Sequence, residues 1–264
     1  EFTEVIDQVQ SAVASLRRVL GVLDTPIGPA QPLSPTLLPK GALSIDFVDV
    51  SFAYGSRLDD VDDDTPVLNS INLHVPGGQH IALVGPSGSG KTTLARLIAR
   101  LADPTLGNVL LGGVGLTRVE NADLRRRLIL VPQEPFLFAD TIAYNLRFAS
   151  PDATDALLQD AFSDLELNDW LETLPNGIDT HVGQRGGSLS AGERQLVALV
   201  RAAVVRPDVL ILDEATSSVD ASTEVRISRA LRKLALGRTT VSIAHRLSTA
   251  ARAERVILLE NGRN

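Results

Sequence analysis

IALVGPSGSGKTTLARLIARL (81–101) decides the fold. A short apolar strand, IALVG (81–85), runs into the loop GPSGSGKT (85–92), and the loop opens a helical pattern from Lys91. Strand, glycine-rich turn and helix in that order aim successive backbone N–H groups at an anion, at the positive end of the helix. The glycines let the chain curl, so Gly85, Pro86, Ser87, Gly88, Ser89 and Gly90 form a candidate phosphate cradle. Lys91 is placed to reach β and γ phosphates as a point charge, Thr92 to offer its hydroxyl to Mg²⁺, and Thr93 to flank them. The ligand implied is a nucleoside triphosphate.

Further along, VLILDE (209–214) is an apolar strand that delivers Asp213 and Glu214 to the carboxyl edge of a parallel sheet, where ligands bind. Asp213 is the candidate holder of Mg²⁺ through water. Glu214 is the candidate base that orients and deprotonates an attacking water, a role worth roughly 10²–10⁴-fold. The alternative for such a pair is a solvated turn. Between the two motifs lies LSAGERQ (189–195), where Ser190 and Glu193 have the spacing of a capping box before the apolar run LVALVRAAV.

Working outward, residues 3–23 place Val5, Val9, Ala12, Val13, Leu16, Val19, Leu20 and Leu23 on one helical face. Asp24 and the prolines at 26, 29, 32, 35 and 39 stop that helix and mark an extended linker, so a helix-plus-linker segment is expected over 1–40 and a domain over 41–264. Its first strands read as 43–54 and 67–75, alternating and β-rich; 128–132, 209–213, 239–245 and 255–260 read as further strands. The pattern between Pro135 and Arg206 is mostly helical, which predicts an α/β core with a helical insert over about 136–205.

Composition narrows the classes. The chain has 264 residues, 44% hydrophobic and 22% charged, which is ordinary globular composition. A net charge of −7 argues against a broad nucleic-acid surface, and the absence of cysteine excludes disulfides and Cys-ligated metals. No apolar run reaches the roughly 18–20 residues that span a bilayer, and no signal peptide is visible. The chain has no methionine and stops just after the strand VILLE, so it is expected to be a piece of a longer protein, cut at both ends.

GPSGSGKT, LSAGERQ and VLILDE, in that order, resemble the ATP-binding cassette (ABC) ATPases. The resemblance implies a P-loop NTPase core with a RecA-like mixed sheet, an N-terminal antiparallel β subdomain and an inserted α-helical subdomain. It implies that Ser190, Gly192 and Glu193 complete the ATP site of a second copy, identical or homologous. The family's usual glycine is Ala191 here, and its usual glutamine is Glu193. By the same resemblance Tyr54 matches the adenine-stacking aromatic, a contact worth about 1–3 kcal/mol. Gln133 matches the loop glutamine that touches Mg²⁺, His245 the γ-phosphate switch histidine, and Asp220 the residue that couples the two sites; helix N-capping explains Asp220 nearly as well.

PQEPFLFADTIAYNL (132–146) and THVGQRGGSLS (180–190), with Gln184 where glutamate is usual, are similar to exporter-type segments that engage transmembrane domains. Residues up to VLGVLDTP are similar to the cytoplasmic extension of an exporter's last membrane helix. The expectation is an ATPase, with ATP and Mg²⁺ as cofactors, at the cytoplasmic face of the inner membrane. Its partners would be a second nucleotide-binding domain and transmembrane domains, with no nucleic acid and no membrane span of its own. The rivals are a soluble ABC ATPase of DNA repair or translation and a nucleotide-binding scaffold that does not hydrolyse. The acidic run Asp59–Asp64 imitates the start of a calcium loop, but Thr65 and Ile71 break that pattern, and a solvated loop is the better reading.

Overall fold

Strands of two characters build two sheets. Residues 45–52 and 68–75 alternate between buried and more exposed positions, whereas 209–213 and 239–243 are buried almost throughout, as strands covered on both faces must be. The computed structural model describes residues 2–23, 28–54, 66–213, 220–244 and 250–264. It comprises two compact units, Glu1–Ala30 and Gln31–Asn264.

The first unit holds α1 (Phe2–Leu23), whose predicted apolar stripe is exposed along its length. In the second unit the order is β1 (Ile45–Phe52), β2 (Leu68–Val75), β3 (His80–Val84), α2 (Lys91–Ile98), β4 (Leu106–Leu111), β5 (Val114–Gly115), α3 (Asn121–Arg127) and β6 (Leu128–Val131). The helical part follows, with α4 (Ile142–Arg147), α5 (Asp155–Asp164), α6 (Asn168–Leu171) and α7 (Ala191–Val205). Then come β7 (Val209–Asp213), α8 (Ala221–Ala235), β8 (Thr239–Ile243) and β9 (Arg255–Leu258).

Antiparallel pairing joins β2-β1-β4-β5 in one sheet, and parallel pairing joins β6-β7-β8-β3-β9 in the other. This is the α/β architecture expected from the sequence: a parallel sheet, an antiparallel sheet beside it and a helical part between β6 and β7.

The sequence reading did not place β4 and β5. LGNVLLGGVG (106–115) is glycine-dense, and its glycines serve the sheet. Gly112 and Gly113 both take positive φ and form the two-residue turn between β4 and β5. Gly107 lies so close to β1 that an added Cβ would meet the Asp49 carbonyl oxygen at 2.2 Å. Residues 31–40, read as linker, lie within the second unit: Leu38 is buried, Thr36 N–H donates to Arg118 O at 2.8 Å and Arg127 Nη2 donates to Pro39 O at 2.7 Å.

Two packed clusters hold this unit together. One joins the antiparallel sheet, α2 and one face of the parallel sheet; the other joins α4–α8 to the opposite face. β7 belongs to both, with Val209 and Ile211 in the first cluster and Leu210 and Leu212 in the second. An ionic ladder fastens α8 to the α5–α6 junction: Lys233 and Arg229 face Glu166, and Arg226 faces Asp169.

Candidate functional site

All five strands of the parallel sheet run the same way, so their carboxyl ends share one edge. Gly85 follows β3 at that edge, Ala244 follows the adjacent β8, and Asp213 ends β7 one strand further on. At about 4.8 Å per strand, Asp213 lies roughly 10 Å from the β3 line, with β8 between them.

The loop after β3 is held curled by contacts of its own. Lys91 is only 4% exposed, and its Nζ donates to Gly85 O at 2.9 Å and Pro86 O at 2.8 Å. Ser89, also buried, donates its N–H to Pro86 O at 3.2 Å. Gly85 has no room for a side chain, since an added Cβ would meet Leu259 O at 2.1 Å. Gly90 takes φ 100° at the N-cap of α2 and supplies no side chain to cap it, which leaves the first-turn N–H groups for a bound anion. Thr92 is exposed on that first turn, whereas Thr93 is buried.

Tyr54 stands beside this loop. Its hydroxyl pairs with Thr93 Oγ1 at 3.1 Å and accepts from Arg96 Nη1 at 3.3 Å, while Phe52 meets the ring edge-on at 4.9 Å. These side chains and Leu97 line a cavity of about 300 Å³. Arg96 was not singled out in the sequence; its place three residues after Thr93 on α2 is the signal, because residues so spaced share a helical face.

The 190–193 turn sits on the helical part, at the start of α7. Its capping box is present: Ser190 Oγ accepts from Glu193 N–H at 3.2 Å, and Ser190 N–H donates to Glu193 Oε2 at 2.8 Å. Ala191 is exposed and Gly192 buried, so the additional methyl group is accommodated at the surface.

The two segments of the exporter-like reading, 132–146 and 180–190, are brought together. Thr141 bridges to His181, Ile142 N–H donates to Thr180 O at 3.0 Å and Val182 N–H donates to Asp140 O at 3.0 Å. Arg201 of α7 donates to Phe136 O at 3.1 Å, a tie to the 132–146 segment that the sequence reading missed. Phe136, Tyr144 and Phe148 are exposed around Phe138, and Gln133, three residues before Phe136, and Gln184, on the other segment, are exposed as well.

Asp220 caps α8, accepting from Ser222 N–H at 3.1 Å, Thr223 N–H at 3.0 Å and the Ser222 hydroxyl at 2.7 Å. These donors, the Ser222 hydroxyl foremost, hold its carboxyl far below the ordinary aspartate range. A lowered folded pKa contributes stability above the unfolded value, and that stability is lost as pH falls through the folded one. Asp220→Asn retains an oxygen for the N–H groups but not the charge and is expected to melt between the parent and Asp220→Ala at pH 7. Thermal melts check this; equal Tm for the two variants would remove the cap as its structural role. Glu214, His245 and the acidic run Asp59–Asp64 lie outside the described residues.

Comparison with known proteins supplies the family. The ABC transporter family model matches residues 68–217, more than half of the chain. An ATP-dependent lipid A-core flippase of Ralstonia nicotianae is 41% identical over 98% of this chain and 43% of its own length. A fatty acid ABC transporter ATP-binding/permease protein of Mycobacterium bovis is 41% identical over 96% of this chain and 39% of its own. A bacterial Atm1-family ABC exporter solved with ATP bound superimposes with a TM-score of 0.82 at 38% identity, over 97% of this chain and 43% of that one. The chain thus spans less than half the length of these relatives. With phosphate loop, acidic strand end and capped 190–193 turn all on the fold, the chain belongs to the ABC transporter family, and its second unit has the fold of that family's ATP-binding ATPase domain.

Proposed function

We propose that this chain powers an exporter by binding and hydrolysing ATP between two copies of the domain. The observation that carries the reading is the division of labour in the fold. The phosphate cradle lies at the edge of the parallel sheet, whereas the capped 190–193 turn sits on the helical part as a second N–H-rich helix start. In the proposed pair, each ATP lies between one protomer's cradle and the partner's turn.

Each residue then has a task. The curled loop and the start of α2 give N–H groups to the phosphates, Lys91 leaves its loop carbonyls to meet the β and γ oxygens, and the Tyr54 ring stacks on adenine. The uncapped start of α2 after Gly90, the exposed Thr92 and the strand-end Asp213 have the donor chemistry that a magnesium nucleotide needs. Thr92, Gln133 and Asp213 are the residues to hold Mg²⁺, which when bound draws negative charge from the phosphates. Glu214 takes the proton of the attacking water, and His245 holds the γ-phosphate. Ser190 donates its hydroxyl to the partner's ATP. Asp220 links the two sites, and the 132–146 and 180–190 segments pass the opening and closing of the pair to transmembrane domains. The place of action is the cytoplasmic face of the inner membrane, although no helix among the described residues is long and apolar enough to cross a membrane. The alternative of a soluble ATPase gains no support from the relatives above, which are transport proteins.

Steady-state hydrolysis of MgATP over a hundredfold range of chain concentration tests the pairing. Activity per molecule is expected to rise with concentration. A flat profile would mean that two copies of this chain do not build the site between them.

A further inference from the structure

The 190–193 turn is closed from behind by a residue to which the proposed mechanism gives no task. Trp170, the single tryptophan of the chain, lies on α6 and is 2% exposed, its ring tilted against Phe162 at 6.0 Å. Its indole Nε1–H donates to Glu193 Oε1 at 3.3 Å, while Glu193 Oε2 accepts from Ser190 N–H. Both carboxylate oxygens are therefore engaged on the protein side of the turn. Burial pushes the Glu193 pKa up and the Asp220 charge from α8 adds to that, but the bonds from Ser190 and from the Trp170 indole outweigh both and hold it below the ordinary glutamate range. The Ser190 hydroxyl, by contrast, spends a lone pair on the Glu193 N–H and keeps its proton to donate outward.

We infer that Trp170 is a positioning residue. By holding Oε1 it keeps Glu193 folded back as the cap of α7, so that the turn presents N–H and O–H donors, and no carboxylate, to the partner's triphosphate. The inference rests on the proposed reading that this turn faces a partner's ATP. A loose Glu193 there would repel the polyanion; a tied one does not.

The single indole makes the contact directly visible. In the ¹⁵N-labelled chain its one N–H resonance is expected to move as pH is lowered through the Glu193 titration, and to lose that movement in Glu193→Gln. Asp220 also titrates at low pH, and the same variant separates its influence. Kinetics then test the role. Trp170→Phe keeps a buried ring and deletes the donor; it is expected to raise KM for MgATP about tenfold, the scale of one hydrogen bond to a charged group, with kcat changed less than about twofold. Adding Glu193→Gln to Trp170→Phe is expected to lower KM severalfold from that of Trp170→Phe alone, because the released group no longer carries charge. An indole resonance indifferent to Glu193→Gln would overturn the inference. So would an unchanged KM in Trp170→Phe, or a double variant no better than the single one. Absence of turnover in the unaltered chain would instead remove the reading beneath it; the indole titration needs no nucleotide and tells the two failures apart.

Discussion

Glu214→Gln is expected to bind ATP as the parent does and to turn it over roughly 10²–10⁴ times more slowly, the usual scale of a positioned general base. The substitution keeps size and hydrogen-bonding oxygen but cannot accept a proton. The strand before it is fixed: β7 is paired on both sides, to β6 and β8, and its first three residues are fully buried. A glutamine at 214 therefore leaves the strand that carries Asp213 unaltered. Equilibrium nucleotide binding and phosphate release measured on the same preparation check the two halves. Turnover at the parent rate would remove Glu214 as the base, and lost binding would show that its charge also serves the nucleotide.

Lys91→Ala is expected to act on the other side of that split, weakening ATP binding by roughly 10- to 150-fold, the range of a hydrogen bond made by a charged group. Lys91 Nζ now satisfies two carbonyls of its own loop, Gly85 O and Pro86 O, so truncation removes both the charge and the clasp that keeps the loop curled. Lys91→Arg is not expected to rescue, because a planar guanidinium does not fit where a compact ammonium sits at 4% exposure. Titration calorimetry with MgATP on the three proteins checks this; near-parent affinity in Lys91→Ala would place the phosphates elsewhere.

Much of this was legible because it is local. GPSGSGKT needs only its own backbone to become a cradle, and the capping box at Ser190 needs only residues three apart. Other features depend on distant partners. The strands at 106–115 exist because β1 lies against β4, an approach that Gly107 permits and that no pattern within the segment announces. The turn at 190–193 was readable, but the indole behind it comes from 23 residues upstream in sequence, through a hydrogen bond that no spacing rule anticipates. Likewise Arg201 reaches Phe136 only because α7 passes beneath that segment, 65 residues away along the chain. Residues 31–40 read as linker from their prolines, yet Leu38 finds a place in the core.

The membership of β7 in both clusters bears on how the second unit comes apart. The helical part is an insertion in the sequence, and insertions often melt on their own. This one has no separate wall: Leu210 and Leu212 back its packing, while Val209 and Ile211, on the same five-residue strand, back the sheet core. Loss of packing on either face releases the strand for both. Unfolding of the helical part is therefore expected to be coupled to that of the sheet core through the acid-bearing strand, their common seam.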